Sequence, residues 1–430
     1  MRRRIAVVGG GWAGLAAAVA ATQRGHAVTL FEMAPQCGGR ARGVEAQGLA
    51  LDNGQHILIG AYRETLELMR AVGASPDAAL LRLPLALVYP DGEGLRLPRG
   101  PAVPAFARAV LACRRWAWRE RMALLAEATR WAAMRFRCDE RLTVAQLTRR
   151  LPQRVRQDLI DPLCVAALNT PAEQADARVF LRVLRDALFS GPGSADLLLP
   201  RASLGALLPA PAAAWLAQRG AALRLGHRVK GLSTIGTPCG WCVDDEPFDA
   251  VVLAAPAREA ARLAHAASPS WAAAAAAFEY EPIVTVYLQS AGTRLPQPMT
   301  ALACDGDAPA QFVFDLGALG HHAGVFAFVV SGARRWTEQG LEATAAATRQ
   351  QALQAFAPGT WHSPPTVLRT LAERRATFLC TPGLRRPPLA IAPGLVAAGD
   401  YIEGPYPATL EGAVRSGRLA VDAVTAGWPT

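Results

Sequence analysis

The sequence predicts an α/β fold organised around a nucleotide-binding β-α-β unit at its beginning, and three observations carry that expectation. The apolar run Arg4 to Val8 ends in Gly9-Gly10-Gly11-Trp12-Ala13-Gly14. An alanine-rich stretch from Leu15 to Arg24 has helical composition and breaks at Gly25-His26. A second apolar run, Ala27 to Glu32, then ends in an acid.

Each part has a physical reason. Gly9 permits the tight turn, Gly11 lets the backbone approach a pyrophosphate, and Gly14 lets the helix lie close on the strand. The helix start at Trp12-Ala13-Gly14 offers free N–H groups and the positive end of the helix dipole to the same anion. Glu32 is placed to take ribose hydroxyls, and its charge disfavours a 2′-phosphate and therefore NADP. Five residues later Cys37-Gly38-Gly39-Arg40-Ala41-Arg42 brings a second glycine pair followed by a guanidinium, which suits a cation held against a diphosphate.

At 430 residues the chain has room for two or three units of about 150 residues each. With 51% apolar and 19% charged residues it reads as folded throughout. Its positive charge is almost wholly arginine, Lys230 being the single lysine. Eight scattered cysteines and the lack of a leader before Arg4 set an expectation of reducing cytosol. Ile5 to Gln23 is uncharged and long, but its glycines assign it to the nucleotide unit, and no other stretch qualifies as a span.

Asp52-Asn53-Gly54-Gln55-His56 follows an expected strand, Val44 to Leu51, and precedes a helical pattern from Tyr62 to Val72. Its small polar residues suit backbone amides brought up to a flat ring; an ordinary Asn-Gly turn with Asp52 as a local cap is the competing reading. From Arg96 to Arg156 the pattern turns helical and basic, with 15 arginines against Glu120, Glu127, Asp139 and Glu140. That local +11 accounts for the +10 of the whole chain. Phe106, Trp116, Trp118, Met122, Leu125, Trp131, Met134 and Phe136 interleave with the arginines, the composition of a surface seated among anionic headgroups. No nucleic-acid-reading module accompanies it, so nucleic acid is not the expected partner.

Leu163 to Leu168 is an apolar run closed by Asn169-Thr170-Pro171, and Arg178 to Phe189 reads as an amphipathic helix. Gly191-Pro192-Gly193 breaks it, then a helix from Leu204 to Arg219 and a strand from Ala222 to Val229 are expected. Cys239-Gly240-Trp241-Cys242 has redox spacing but sits where a hairpin is expected, and His321-His322 reads as a solvated loop pair, so no metal site is expected. Asp249 to Ala255 looks like a return into the first sheet, and Ala257 to Leu379 mixes helix and strand. Leu395 to Ala398 is a buried strand ending in Gly399-Asp400, and a closing helix starts at Thr409-Leu410-Glu411-Gly412-Ala413.

These motifs together resemble the amine oxidase and phytoene desaturase superfamily over nearly the whole chain. Gly38 to Arg42, Asp52 to His56, Leu163 to Pro171 and Pro407 to Gly417 resemble, more narrowly, the hydroxysqualene dehydroxylase family of bacterial hopanoid synthesis. The resemblance implies a glutathione-reductase-type FAD-binding domain, discontinuous over 1–75, 201–258 and 389–430. A helical, membrane-associating region at 76–200 and a mixed α+β substrate domain at 259–388 complete that layout. It implies non-covalent FAD held by Gly9, Gly11, Trp12, Ala13, Gly14, Glu32, Gly38, Gly39, Arg40, Asn53, Gly54, Gln55, His56, Val229, Ala255, Gly399, Asp400, Thr409, Leu410 and Ala413. Among these, Asp400 is assigned to the ribityl or diphosphate, Val229 to adenine and Leu410 to the pyrimidine edge. Tyr401 to Tyr406 departs from the Trp-Thr-rich loop of some relatives.

The activity implied is reduction of hydroxysqualene to squalene with loss of water, hydride coming from flavin N5 and reducing power from a donor the resemblance does not specify. His56, Asp161 and Asn169 are the candidates for assisting the departing hydroxyl. A carotenoid-type desaturase and a non-catalytic prenyl-lipid carrier of the GDP-dissociation-inhibitor architecture are the alternatives. The expected partners are an isoprenoid lipid and, through Arg96 to Arg156, the anionic inner face of the cell membrane, with the protein in the cytoplasm.

Overall fold

The computed structural model describes residues 2–236 and 240–426. Apolar runs with no polar face must be covered on both sides, and they build a six-stranded sheet. Five strands are parallel in the spatial order Ala222–Leu225, Ala27–Glu32, Arg4–Val8, Ala250–Leu253 and Leu395–Ala397, and Ala390–Ala392 adds an antiparallel edge. Val8 lies opposite both Phe31 and Leu253, so the turns at Gly9, Glu32 and Ala254 open at one end of the sheet.

The two ends of the chain meet there. The opening helix, Trp12–Gln23, lies against the closing helix, Leu410–Thr425. A Cβ added to Gly417 would stand 2.2 Å from Ala13 O, so only glycine permits this approach. Ser416 Oγ accepts a hydrogen bond from Gly399 N at 2.8 Å, tying the closing helix to the Gly-Asp turn.

The second sheet has five antiparallel strands in the order Met299–Ala301, Phe312–Asp315, Val325–Val330, Tyr280–Gln289, Thr366–Phe378. Side chains alternate across it. Val284, Val286, Phe326, Phe328 and Val330 face helices Arg334–Gln339 and Leu341–Ala355. Tyr287, Ala327, Val329, Phe312 and Phe314 face the opposite way, into a large apolar core shared with the helices of residues 102–189.

Four local expectations are corrected. Val44 to Leu51 is a hairpin, Gly43–Ala46 against Leu49–Asp52, because Gln47 and Gly48 both take positive φ, 51° and 73°, as a tight two-residue turn requires. The expected helix Leu204 to Arg219 is broken into Leu204–Leu207 and Pro209–Gln218, since Pro209 has no N–H to continue it. The strand begun at Ala222 ends at Leu225, where Gly226 turns at φ +70°. His321 and His322 are not merely solvated: their Nε2 atoms lie 3.2 Å from Pro200 O and 2.9 Å from Ala50 O.

The basic segment is also less uniform than its composition. It holds helices Ala102–Ala112 and Trp118–Ala133, but Trp116 and Trp131 are buried in the apolar core. Trp118, at 62% exposure, and Met122 are exposed, and Val103 and Leu111 join them. Arg99, Arg108, Arg114 and Arg119 of the same segment are exposed too. Further on, a π-turn at Arg156–Ile160 runs into the helix Asp161–Leu168. Pro162 cannot donate to Asp158 O, and the Tyr89 hydroxyl supplies that bond instead at 3.0 Å. Of the cysteine pair, Cys239 lies outside the described residues, while Cys242 lies on a strand of a three-stranded hairpin sheet.

Candidate functional site

The glycine turns form an open cradle at the C-terminal end of the parallel sheet. Gly9 has φ +111°, and a Cβ on it would stand 2.5 Å from Ala254 O; one on Gly14 would stand 1.8 Å from Gly9 O. The opening helix starts at Trp12 with no side chain capping its first-turn amides. Those donors and the helix dipole are therefore directed at whatever anion enters. Gly38 N donates to Gly10 O at 2.9 Å, which lays the second glycine turn beside the first, and the Trp12 indole donates to Ala41 O at 3.0 Å to fix it.

Glu32 is held in place by the backbone it follows. Its Oε2 accepts from Gly10 N at 2.6 Å and its Oε1 from Ala34 N at 2.7 Å, leaving further lone pairs on both oxygens for ribose hydroxyls. Val229 is buried nearby, in the same apolar cluster as Phe31. Its carbonyl accepts from Arg262 at 2.9 Å, and His227 N donates to Glu32 O at 2.9 Å. The cradle thus fits a dinucleotide diphosphate and its adenosine.

Arg40 does more than the glycine motif suggests. Its guanidinium pairs with Asp400 at 2.5 Å and donates to Ala376 O at 2.6 Å, joining both cofactor motifs to the end of the strand Thr366–Phe378. Asn53 Nδ2 donates to Arg40 O and to Glu373 Oε2, each at 3.1 Å, and so fastens the Asp52 to His56 loop to the same strand. Ala255 O accepts from the buried Tyr401 hydroxyl at 3.3 Å, and the Tyr401 ring would stand 2.5 Å from a Cβ on Gly399.

Asp52 is not a local cap. Its Oδ1 accepts from Leu204 N at 2.9 Å, at the start of a helix 152 residues away, while its backbone carbonyl accepts from the Tyr287 hydroxyl at 2.9 Å. Burial pushes its carboxyl up to about 7, against the lowering effect of the Leu204 bond. Gly54 turns at φ +99°, and His56 Nδ1 lies 2.9 Å from Gly54 O. A carbonyl partner requires that Nδ1 carry the proton, so neutral His56 presents Nε2 as an acceptor. Burial holds the imidazole below its usual range, the Gly54 bond opposes this, and the charge of Arg40 adds to it. Neutral His56 can accept a hydrogen bond at Nε2 but cannot supply a proton there.

The other two candidates stand at the two ends of the helix Asp161–Leu168. Asn169 closes its helix in the left-handed conformation, φ 45°, with both amide hydrogens used: Nδ2 donates to Glu281 O at 3.1 Å and Thr377 Oγ1 at 3.0 Å, and Oδ1 accepts from Gly332 N at 2.7 Å. It is a clamp between helix and sheet. Asp161 begins the same helix; burial and then Glu173 push its carboxyl up to about 6, with Arg156 opposing. None of those neighbours belongs to a cofactor motif.

Several roles were not foreseen. Thr409 Oγ1 caps the closing helix by accepting from Gly412 N at 2.9 Å. The fully buried Glu411 then accepts from Glu64 N at 3.1 Å, Thr65 N at 3.0 Å and Thr65 Oγ1 at 2.8 Å, so one helix supplies the cap of another, Arg63–Ala71. Tyr62 is half-buried beside Glu411 and Tyr406, and its desolvation pushes its phenol well up. Burial and the neighbouring Asp186 of the helix Ala177–Phe189 push the Tyr406 phenol up. Only the spacing after His56 hints at Tyr62, and nothing local points to Asp186.

An apolar cavity of about 240 Å³ is lined by Leu83, Leu85, Val88, Leu97, Leu197 and Met299, with the exposed Arg96 also in its wall. Leu197 pairs with Ile59, three residues past His56, so one wall of this cavity continues into the loop on which the cofactor motifs converge.

A model of the flavin-containing amine oxidoreductase family matches residues 12–425. The chain is 29% identical to a hydroxysqualene dehydroxylase of Rhodopseudomonas palustris, covering 99% of each sequence, and 28% identical to one of Sinorhizobium fredii, covering 98% of each. A zeta-carotene desaturase of Zea mays is 38% identical over 72 residues, 16% of this chain and 13% of the other. An oxidoreductase of Methanosarcina mazei has the same fold, with a TM-score of 0.75 at 15% identity over 98% of this chain and 100% of the other.

Proposed function

The chain belongs to the flavin-containing amine oxidoreductase family and is an FAD-dependent oxidoreductase, and from that premise we propose that it reduces hydroxysqualene to squalene. The observation that carries the substrate is likeness to dehydroxylases along the whole chain, whereas the likeness to the maize desaturase covers 16% of it. In the overall change a C–OH bond becomes C–H: hydride and a proton enter, and water leaves. Reduced FAD supplies the hydride when bound.

The chain's own residues bind and orient. The helix start at Trp12-Ala13-Gly14, Glu32 and the Arg40–Asp400 pair hold the nucleotide, with Val229 beside the adenosine. The loop Gly54 to His56 and the first turn at Thr409-Leu410, where Ala413 is also buried, are the proposed contacts of the ring. The apolar core beneath the second sheet excludes water from the hydrocarbon, which raises the strength of each polar contact made there.

The cavity beside Arg96 is the proposed entrance for the lipid. Seating on an anionic membrane surface is supported by the segment that follows Arg96, where Trp118, Met122, Val103 and Leu111 are exposed in a run rich in arginine. No helix of the described residues is long and apolar enough to cross a membrane, which leaves peripheral attachment as the mode proposed.

The test is anaerobic incubation of dithionite-reduced holoenzyme with hydroxysqualene, followed by gas chromatography of the lipid. Squalene is the expected product. No squalene, together with conversion of phytoene or squalene to a conjugated polyene by the oxidised enzyme, would establish the desaturase instead.

A further inference from the structure

We infer that Thr285 is the residue that recognises the substrate's hydroxyl group, holding a long isoprenoid alcohol by its one polar atom beside the loop proposed to meet the flavin ring. The inference rests on the lipid-alcohol reading above. Thr285 lies mid-way along the strand Tyr280–Gln289, and its cross-strand neighbours are Val329 and Leu371. By alternation it shares a face with Ile283 and Tyr287, the face turned toward the large apolar core.

Thr285 is 1% exposed, and its Oγ1 has no hydrogen-bond partner among the described residues. Valine has nearly the same shape, occupies the two adjoining positions, Val284 and Val286, and carries no desolvation cost. A buried hydroxyl left unpaired is rare in folded chains and calls for an external partner. Two other threonine hydroxyls lack a partner among the described residues: Thr22 on the opening helix and Thr300, whose strand partner Val313 belongs to the core on the helix-covered side. Of these three threonines Thr285 alone lies on the face turned toward the large apolar core, where the Trp131 indole is the other polar group without a partner among the described residues.

Its position adds the second argument. Oγ1 stands 3.8 Å from where a Cβ on Gly54 would be, so the glycine leaves open the space beside it. The same face carries Glu373, opposite Ile283, which accepts from Asn53. The hydroxyl is thus directed at the loop proposed to meet the flavin ring, where the carbon that receives hydride must also lie. A threonine hydroxyl is far too weak an acid to protonate a leaving group at neutral pH. Thr285 is therefore a positioning residue, and the proton comes from elsewhere.

The experiment compares equilibrium binding of hydroxysqualene and squalene to oxidised holoenzyme, read from the flavin absorbance, for wild type, Thr285→Val and Thr285→Ser. One neutral hydrogen bond predicts that wild type prefers the alcohol by about three- to tenfold. Thr285→Val should abolish that preference with squalene binding unchanged, and Thr285→Ser should retain it. A wild type with no preference overturns the inference without needing any variant. So do a preference that persists in Thr285→Val, equal weakening of both lipids, or a loss of FAD affinity with the preference intact. No turnover is required, so a preference lost in Thr285→Val by an enzyme that makes no squalene refutes the reaction and upholds the contact. Unchanged KM for hydroxysqualene in an active Thr285→Val refutes the contact and upholds the reaction.

Discussion

Replacing Asp52 with asparagine should make the protein more stable at neutral and alkaline pH. The substitution keeps an oxygen to accept from Leu204 N and mimics the protonated acid. Burial moves the Asp52 carboxyl from 3.8 to about 7, so between those values the folded chain holds a proton that the unfolded chain has released. The folded state binds more protons throughout that window, and stability must fall as pH rises through it. Integrated from pH 5 to pH 8, the loss is about 2–3 kcal/mol, an upper figure because the interior relaxes around the charge. Urea midpoints of FAD-saturated wild type and Asp52→Asn, taken at intervals across that range, isolate the term, since every other titrating group is common to both. The variant should gain on the wild type steadily as pH rises. A difference constant with pH, or one that favours the wild type above pH 7, would refute the reasoning.

Three further outcomes follow from the site. Glu32→Ala removes the acceptor of Gly10 N and Ala34 N along with the proposed ribose contact, and charge-assisted bonds of this kind predict an FAD Kd raised about 10- to 100-fold in fluorescence titration of the apoprotein. Glu411→Ala leaves Glu64 N, Thr65 N and Thr65 Oγ1 without their acceptor, which should lower stability by about 2–4 kcal/mol in calorimetry. Trp118→Ala combined with glutamine at Arg108, Arg114 and Arg119 should weaken flotation with anionic liposomes about a hundredfold, since each basic residue contributes about 1 kcal/mol at such a surface; wild-type flotation that ignores both salt and anionic lipid would remove the proposed attachment.

The parts of the site that a local stretch can encode were legible before any coordinates. Gly9, Gly11, Gly14 and Glu32 lie within one β-α-β unit, and their conformational demands belong to the backbone around them. The interrupted parallel sheet was equally readable, because a buried strand is a continuous apolar run wherever it falls in the chain. What sequence did not disclose depends on partners far away. Asp52 caps a helix 152 residues on, Glu411 caps one 346 residues back, and the amide of Asn169, a candidate for chemistry, is spent on the second sheet. The tryptophans of the basic segment looked alike in composition, yet packing alone buries Trp116 and Trp131 and exposes Trp118. Thr285 was invisible for the same reason, since its unpaired hydroxyl is defined by what the neighbouring strands do not offer.

The central claim, that electrons pass from the bound flavin to an isoprenoid alcohol, is tested most directly by stopped-flow absorbance. Reduced holoenzyme is mixed anaerobically with hydroxysqualene in one syringe and with squalene in another. The account predicts that the oxidised flavin spectrum returns with the alcohol, one equivalent per enzyme, and stays bleached with the hydrocarbon. A flavin that remains reduced in both, or reoxidises equally in both, contradicts it.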